Sequence, residues 1–152
     1  MLFRSNYTSG TTGNPKGVVY SHRGATLSSY GNATQWPIGL HPVYLWTLPM
    51  FHCNGWCFPW TISVVAGTHV CLRAVRAQAM YDAIATHKVT HLCGAPIVMS
   101  TLLNAPDSEK KPLPHVVQFA TAAAPPPEAV LAAMKAAGFN VTHVYEIGRA
   151  HV

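Results

Sequence analysis

Short apolar, β-prone runs alternate along this chain with longer stretches of helical spacing. Val18–Tyr20 reads as a strand. A helix follows to about Trp36, with Ser21 as its N-cap because that hydroxyl can accept from first-turn N–H groups. Pro37–Pro42 is a break. Beyond it the pattern predicts strand Val43–Leu48, helix from about Gly55 to Ala66, strand His69–Leu72, helix Ala77–His87 and strand Val89–Cys93. Helix Pro96–Leu103, a polar loop Asn104–Pro114, strand Val116–Thr121, helix Pro127–Ala137 and strand Val141–Tyr145 complete it. The last helix is the best punctuated. Pro127 suits its first turn, Glu128 favours the positive helix start, Gly138 suits the C′ position, and Val130, Leu131 and Met134 form its apolar stripe. Alternation of this kind points to βαβ units, an α/β fold and a mainly parallel sheet.

Composition narrows the possibilities. At 152 residues the chain has the length of one domain, and an apolar content of 49% permits a substantial core. Charged residues make up only 10%, too few for a free-standing surface, which suits an interior slice of a larger protein. The net charge of +5 comes from scattered Lys and Arg, apart from Lys110–Lys111 in the polar loop, and no basic stripe carries interleaved aromatics. That argues against nucleic-acid binding. No apolar run reaches the ~18 residues of a membrane span, and no signal peptide is visible, so a cytoplasmic location is the expectation.

Cys53 and Cys57, beside His52, would share a face if helical, and zinc would use such ligands. There is no second paired cluster, and Cys71 and Cys93 lie in apolar runs, so buried free thiols are the simpler expectation. The nine histidines are dispersed.

The strongest chemical signal is Tyr7–Gly17, YTSGTTGNPKG. Thr8, Ser9, Thr11 and Thr12 surround Gly10, Gly13 and Gly17, and Lys16 is the only charge. Glycines let successive N–H groups face one anion, while hydroxyls and an ammonium add donors, so the stretch is built to hold a polyphosphate. It is not a Walker A loop. That motif needs four residues between its glycines and a Ser or Thr after the Lys, whereas here only Thr11 and Thr12 separate Gly10 from Gly13.

From Thr8 to Gly17 the sequence resembles the phosphate loop of adenylate-forming enzymes, the superfamily of acyl-CoA synthetases, luciferases and nonribosomal adenylation domains. The resemblance implies that Thr8–Gly13 and Lys16–Gly17 grip the phosphates of ATP, with Thr8 touching Mg2+. A substrate carboxylate would attack the innermost phosphate, pyrophosphate would leave, and a thiol such as CoA would take the acyl group. Carboxylate and triphosphate repel each other, so cations and dipoles must offset that charge in the transition state.

Three further segments carry the resemblance. Pro49–Trp60, PMFHCNGWCFPW, follows a predicted strand and looks most like the medium-chain fatty-acid and methylmercaptopropionate CoA ligases, including plant acyl-activating enzymes. By that likeness His52 is the catalytic candidate near the reacting carboxylate, and Trp56 flanks the adenylate or closes the acyl tunnel; a structural role for His52 is the alternative. Phe51, Phe58 and Trp60 read as ordinary core. Gly94–Thr101, GAPIVMST, would line the acyl pocket, with Ile97, Val98 and Met99 also serving as helix core. Thr121–Pro125, TAAAP, stands where the family has a GGAP-like string, so Ala122, Ala123, Ala124 and Pro125 would approach the adenine and acyl carbonyl less freely than glycines do. Tyr145 stands where the family's adenine-stacking Tyr begins its Tyr-Gly-x-Thr-Glu motif, and the match stops there.

Leu2–Ser5 (LFRS) and Glu146–Val152 (EIGRAHV) read as translated sequencing adapter, which leaves about Asn6–Tyr145 as the expected partial adenylation domain, with no strand expected ahead of the phosphate loop. Resequencing the source locus tests this. The expectation is a fragment of an ATP-dependent acyl-CoA synthetase acting on a short- to medium-chain carboxylic acid, inactive alone. The alternatives are an adenylation domain loading a carrier protein, a non-catalytic nucleotide-binding module, or a structural metal protein. Acyl length and oligomeric state stay open.

Overall fold

The computed structural model describes residues 3–8, 14–36, 38–122 and 125–144. They fall into two units, Met1–Pro42 with Leu48–Thr68, and Val43–Thr47 with His69–Val152.

The first unit begins with a hairpin. Strands β1 (Phe3–Thr8) and β2 (Lys16–Ser21) are antiparallel, in register from Phe3↔Ser21 to Thr8↔Lys16. The strand ahead of the phosphate loop was not expected from sequence, and Phe3–Ser5, set aside there, take part in its ladder. Helix α1 (His22–Gln35) follows directly, and Ser21 Oγ caps it as expected, accepting the Gly24 N–H at 3.0 Å. Packed on α1 are a four-residue turn, α2 (Cys53–Trp56), and α3 (Phe58–Val64), whose Pro59 suits a first helical turn. Trp36 meets Phe58 edge to face with centroids 5.6 Å apart, and Ile38, Ile62 and Val65 are buried with them. The single helix expected from Gly55 to Ala66 is thus two pieces, for a reason described below.

In the second unit, among the described residues, five strands form one sheet in the order β4 (Thr68–Cys71), β3 (Val43–Trp46), β5 (His91–Cys93), β6 (Val117–Thr121), β7 (Phe139–His143). The β3–β5, β5–β6 and β6–β7 pairs are parallel, with Leu45↔Leu92, Cys93↔Ala120 and Thr121↔His143 in register. Helices α4 (Ala77–His87), α5 (Pro96–Leu103) and α6 (Glu128–Ala136) make the crossovers that parallel neighbours require. The core joins Leu45, Leu92, Val117 and Phe119 of the strands to Met80, Ile84, Met99, Leu102 and Met134 of the helices. This is the expected α/β architecture.

Two glycines set its geometry. A Cβ on Gly94 would lie 2.8 Å from Val98 Cβ and 3.0 Å from the Phe119 ring, so its absence lets α5 start close to the end of β5. Gly138, with φ of +91°, ends α6 and turns the chain so that buried Phe139 enters the sheet at once. That turn places β7 at Phe139–His143 instead of the expected Val141–Tyr145.

Candidate functional site

The hairpin presents the phosphate-loop motif at its turn. Thr8 and Lys16 are directly paired in the ladder. Lys16 and Gly17 are exposed, and a Cβ on Gly17 would sit 3.6 Å from the ring of Tyr7, its partner in the register. Ser9, Gly10, Thr11, Thr12 and Gly13 lie outside the described residues.

Within the same unit, PMFHCNGWCFPW takes a form that sequence pattern does not suggest. Cys53, Asn54, Gly55, Trp56 and Cys57 have successive φ values of 49°, 47°, 52°, 55° and 65°, a left-handed helical turn. L-residues pay about 1–2 kcal/mol each for that conformation. Backbone bonds close it: Gly55 N–H donates to the His52 carbonyl at 2.8 Å and Cys57 N–H to the Asn54 carbonyl at 3.1 Å. The Asn32 side-chain amide on α1 donates to the Trp56 carbonyl at 2.9 Å and to Thr61 Oγ1 at 3.2 Å, and Thr61 Oγ1 donates to the Cys57 carbonyl at 3.0 Å.

His52 stands exposed just before this turn and Trp56 half-buried within it. His52 is therefore not enclosed among aromatics as its neighbours in sequence suggested. Phe51, expected in the core, is 81% exposed, whereas Phe58 is buried. The Cys57 thiol is held above its ordinary pKa by burial, offset in part by a hydrogen bond with Ser28. A cavity of about 320 Å³ opens near α1 and α3, walled by Tyr20, Ala25, Ser29, Trp60 and Val64; none of the expected binding residues among the described ones is in its wall.

In the second unit the parallel strands carry three sequence-predicted segments to one edge. Gly94 follows β5, Ala122 follows β6, and Val144 follows β7, its N–H donating to the Thr121 carbonyl at 2.8 Å. The carboxyl ends of parallel strands are where open α/β sheets bind ligands. Ala122 is buried and Pro125 exposed; Ala123, Ala124 and Tyr145 lie outside the described residues. Val98 and Met99 are buried in the helix core while Ile97 is 71% exposed, so α5 offers both a packed and an open face. Thr47, at the end of β3, donates its hydroxyl to the Cys93 carbonyl at 2.5 Å.

Two polar groups of this sheet escaped sequence reasoning. Thr121 Oγ1 is fully buried without a hydrogen-bond partner among the described residues, a costly arrangement that a β-branched residue in a strand does not advertise. Tyr44 is also fully buried, its phenol pushed well above the ordinary value first by burial and then by Cys93. Burial raises the Cys93 thiol to about 12, so it stays protonated and unsuited to metal or nucleophilic chemistry. Cys71, expected to be buried, is exposed on β4.

Comparison with known proteins agrees with this arrangement. A family model described as AMP-binding enzyme matches residues 5–147. The acetate–CoA ligase CCL3 of Humulus lupulus is 53% identical over 146 residues, which are 95% of this chain and 26% of the ligase. The peroxisomal acetate/butyrate–CoA ligase AAE7 of Arabidopsis thaliana is 51% identical, with the same coverage of 95% and 26%. Among solved structures, the inhibitor-bound N-terminal domain of FACL13 from Mycobacterium tuberculosis superposes with a TM-score of 0.85 at 26% identity, covering 94% of this chain and 36% of that one. The o-succinylbenzoate CoA synthetase of Bacillus subtilis, in complex with its acyl-adenylate intermediate, gives 0.75 at 25% identity, covering 94% and 37%. The chain thus spans about a quarter of the length of the curated relatives it matches.

Proposed function

The chain belongs to the AMP-binding enzyme family, and from that premise we propose that the intact protein is an AMP-forming acid–thiol ligase. It would activate a short- to medium-chain carboxylic acid with ATP and pass the acyl group to CoA. The observation that carries this reading is the unbroken Thr8–Gly17 phosphate motif at the turn of a hairpin whose ends, Thr8 and Lys16, are paired.

In the first step a carboxylate oxygen attacks the α-phosphorus of ATP, the bond to the β-phosphate oxygen breaks, and pyrophosphate leaves with the electron pair. The sulfur of CoA then attacks the acyl carbonyl, the bond from the acyl carbon to the phosphate oxygen breaks, AMP departs with the electron pair, and the thiol proton passes to solvent. Neither step needs a strong base, because both turn on positioning and on neutralising charge. In this reading Thr8, Ser9, Gly10, Thr11, Thr12 and Gly13 donate to phosphate oxygens and Lys16 offsets the charge that builds on the leaving group. His52 and Trp56 line the reacting centre, Ala122–Pro125 approach the adenylate, and Tyr145 stacks on adenine. A threonine hydroxyl is a hard oxygen donor of the kind Mg2+ accepts alongside phosphates and water. Thr8 therefore fits that part, and the ion would lend positive charge to the phosphates.

Among the described residues no helix is long and apolar enough to cross a membrane. A cytoplasmic site of action belongs to the reading, although AAE7 is named as peroxisomal; localising the intact tagged protein decides it. The central test is carboxylate-dependent exchange of labelled pyrophosphate into ATP by the intact protein, followed by CoA-dependent release of AMP. Exchange with acetate, butyrate or hexanoate supports the reading. Absence of exchange with any carboxylate, in protein that binds ATP, leaves a nucleotide-binding module instead.

A further inference from the structure

The left-handed turn at Cys53–Cys57 needs something outside itself to hold it, since four of its five residues are not glycine and each pays for a positive φ. The structure identifies the support. Asn32 has two amide hydrogens, and both are used: one on the Trp56 carbonyl, the other on Thr61, whose own hydroxyl passes to the Cys57 carbonyl. The last two carbonyls of the turn are thus tied to α1 through one side chain. Thr61 is fully buried and Asn32 half-buried, so water competes poorly for these groups and the bonds are correspondingly costly to lose.

We infer that Asn32, acting through Trp56 and Thr61, is a positioning residue that fixes the left-handed turn and so sets where His52 and Trp56 point during acyl activation. The inference rests on the proposed ligase reading for its consequence, but its geometry stands apart from that reading. Right-handed winding at residues 53–57 would turn the Trp56 carbonyl away from α1. Nothing in the phosphate hairpin contacts Asn32 through a described hydrogen bond, so nucleotide capture should survive its loss while reaction geometry does not.

The test uses the intact protein. Asn32→Asp is nearly isosteric, yet it places acceptors where both donors stood. It should lower kcat for carboxylate-dependent pyrophosphate exchange by about 10- to 100-fold, as small misplacements of reacting groups do, with the KM for ATP changed less than about threefold. Thr61→Val, which keeps the shape and removes the hydroxyl, should repeat the kcat loss, and Thr61→Ser, which keeps the hydroxyl, should restore most of it. A crystal structure of Asn32→Asp should find the turn out of the left-handed region. Unchanged kcat in both Asn32→Asp and Thr61→Val overturns the inference, as does a retained turn in the variant's structure. Should Asn32→Asp fail to fold, the contrast between the two Thr61 variants decides. A wild-type protein without exchange activity would count against the ligase reading, and the variant structure would still judge the role of Asn32.

Discussion

Trp46 donates its indole N–H to Nδ1 of His69 at 2.9 Å, with the two rings inclined by only 17° and their centroids 5.8 Å apart. The bond requires an unprotonated Nδ1. Burial lowers the His69 pKa from its ordinary 6.5. The unfolded chain therefore takes up this proton at a higher pH than the folded one, and stability is full above about 6.5 and falls as pH drops through and below that value. Thermal unfolding of the intact protein between pH 7.5 and 5 should show this loss, small because His69 is largely exposed, and His69→Gln should flatten it. A melting temperature equally pH-dependent in the variant would assign the effect elsewhere.

Removing the charge at the hairpin turn should cost catalysis without costing the fold. Lys16 is exposed and makes no described ion pair, so Lys16→Ala should leave the melting temperature within about 1 °C. The same change should lower kcat/KM for ATP by about 100-fold, typical of deleting one transition-state donor. Full activity in this variant, and in one also lacking Thr11 and Thr12, would remove the basis of the functional reading.

Glycines in this chain should respond to alanine with opposite signs. At Gly94 the new methyl meets Val98 and Phe119, so Gly94→Ala should destabilise by about 1–3 kcal/mol through overpacking. Gly31 lies inside α1 with nothing within 4 Å of a built Cβ, so Gly31→Ala should stabilise by about 0.5–1 kcal/mol. Chemical denaturation of the two variants checks both.

Thiol accessibility gives a further check. Cys71 is exposed, Cys53 and Cys57 are partly covered, and Cys93 is fully buried with its thiol raised to about 12. Iodoacetamide at neutral pH should label Cys71 readily and leave Cys93 untouched until denaturant is added. Peptide mapping by mass spectrometry reads the order; early labelling of Cys93 would contradict its burial.

What the sequence made legible was what its local chemistry determines. Ala77–His87 and Pro96–Leu103 are helices with the expected bounds, because a helical spacing of apolar residues and a starting proline act within a few residues. Ser21 and Gly138 act as cap and terminator for the same reason. The left-handed turn was not legible, since Cys and Trp do not favour positive φ and the residue that supports them, Asn32, is 24 positions away from Trp56. The strand before the phosphate motif was likewise missed, being held by pairing with β2 and by no periodicity of its own. Of the candidate site, sequence located the segments at the edge of the sheet, but not the buried Thr121 hydroxyl or the exposure of His52, which depend on what packs nearby.

Opposite pairing of Thr8 with Lys16 has a consequence for how the motif can tolerate change. Adding a residue between them lengthens a circuit whose ends are already fastened, and that costs little entropy. Deleting one inside β2 is another matter. A slip of one position reverses the facing of every side chain that moves, so the ammonium would swing to the far side. As far as folding is concerned, the stem of this hairpin is therefore far less open to changes of length than its tip.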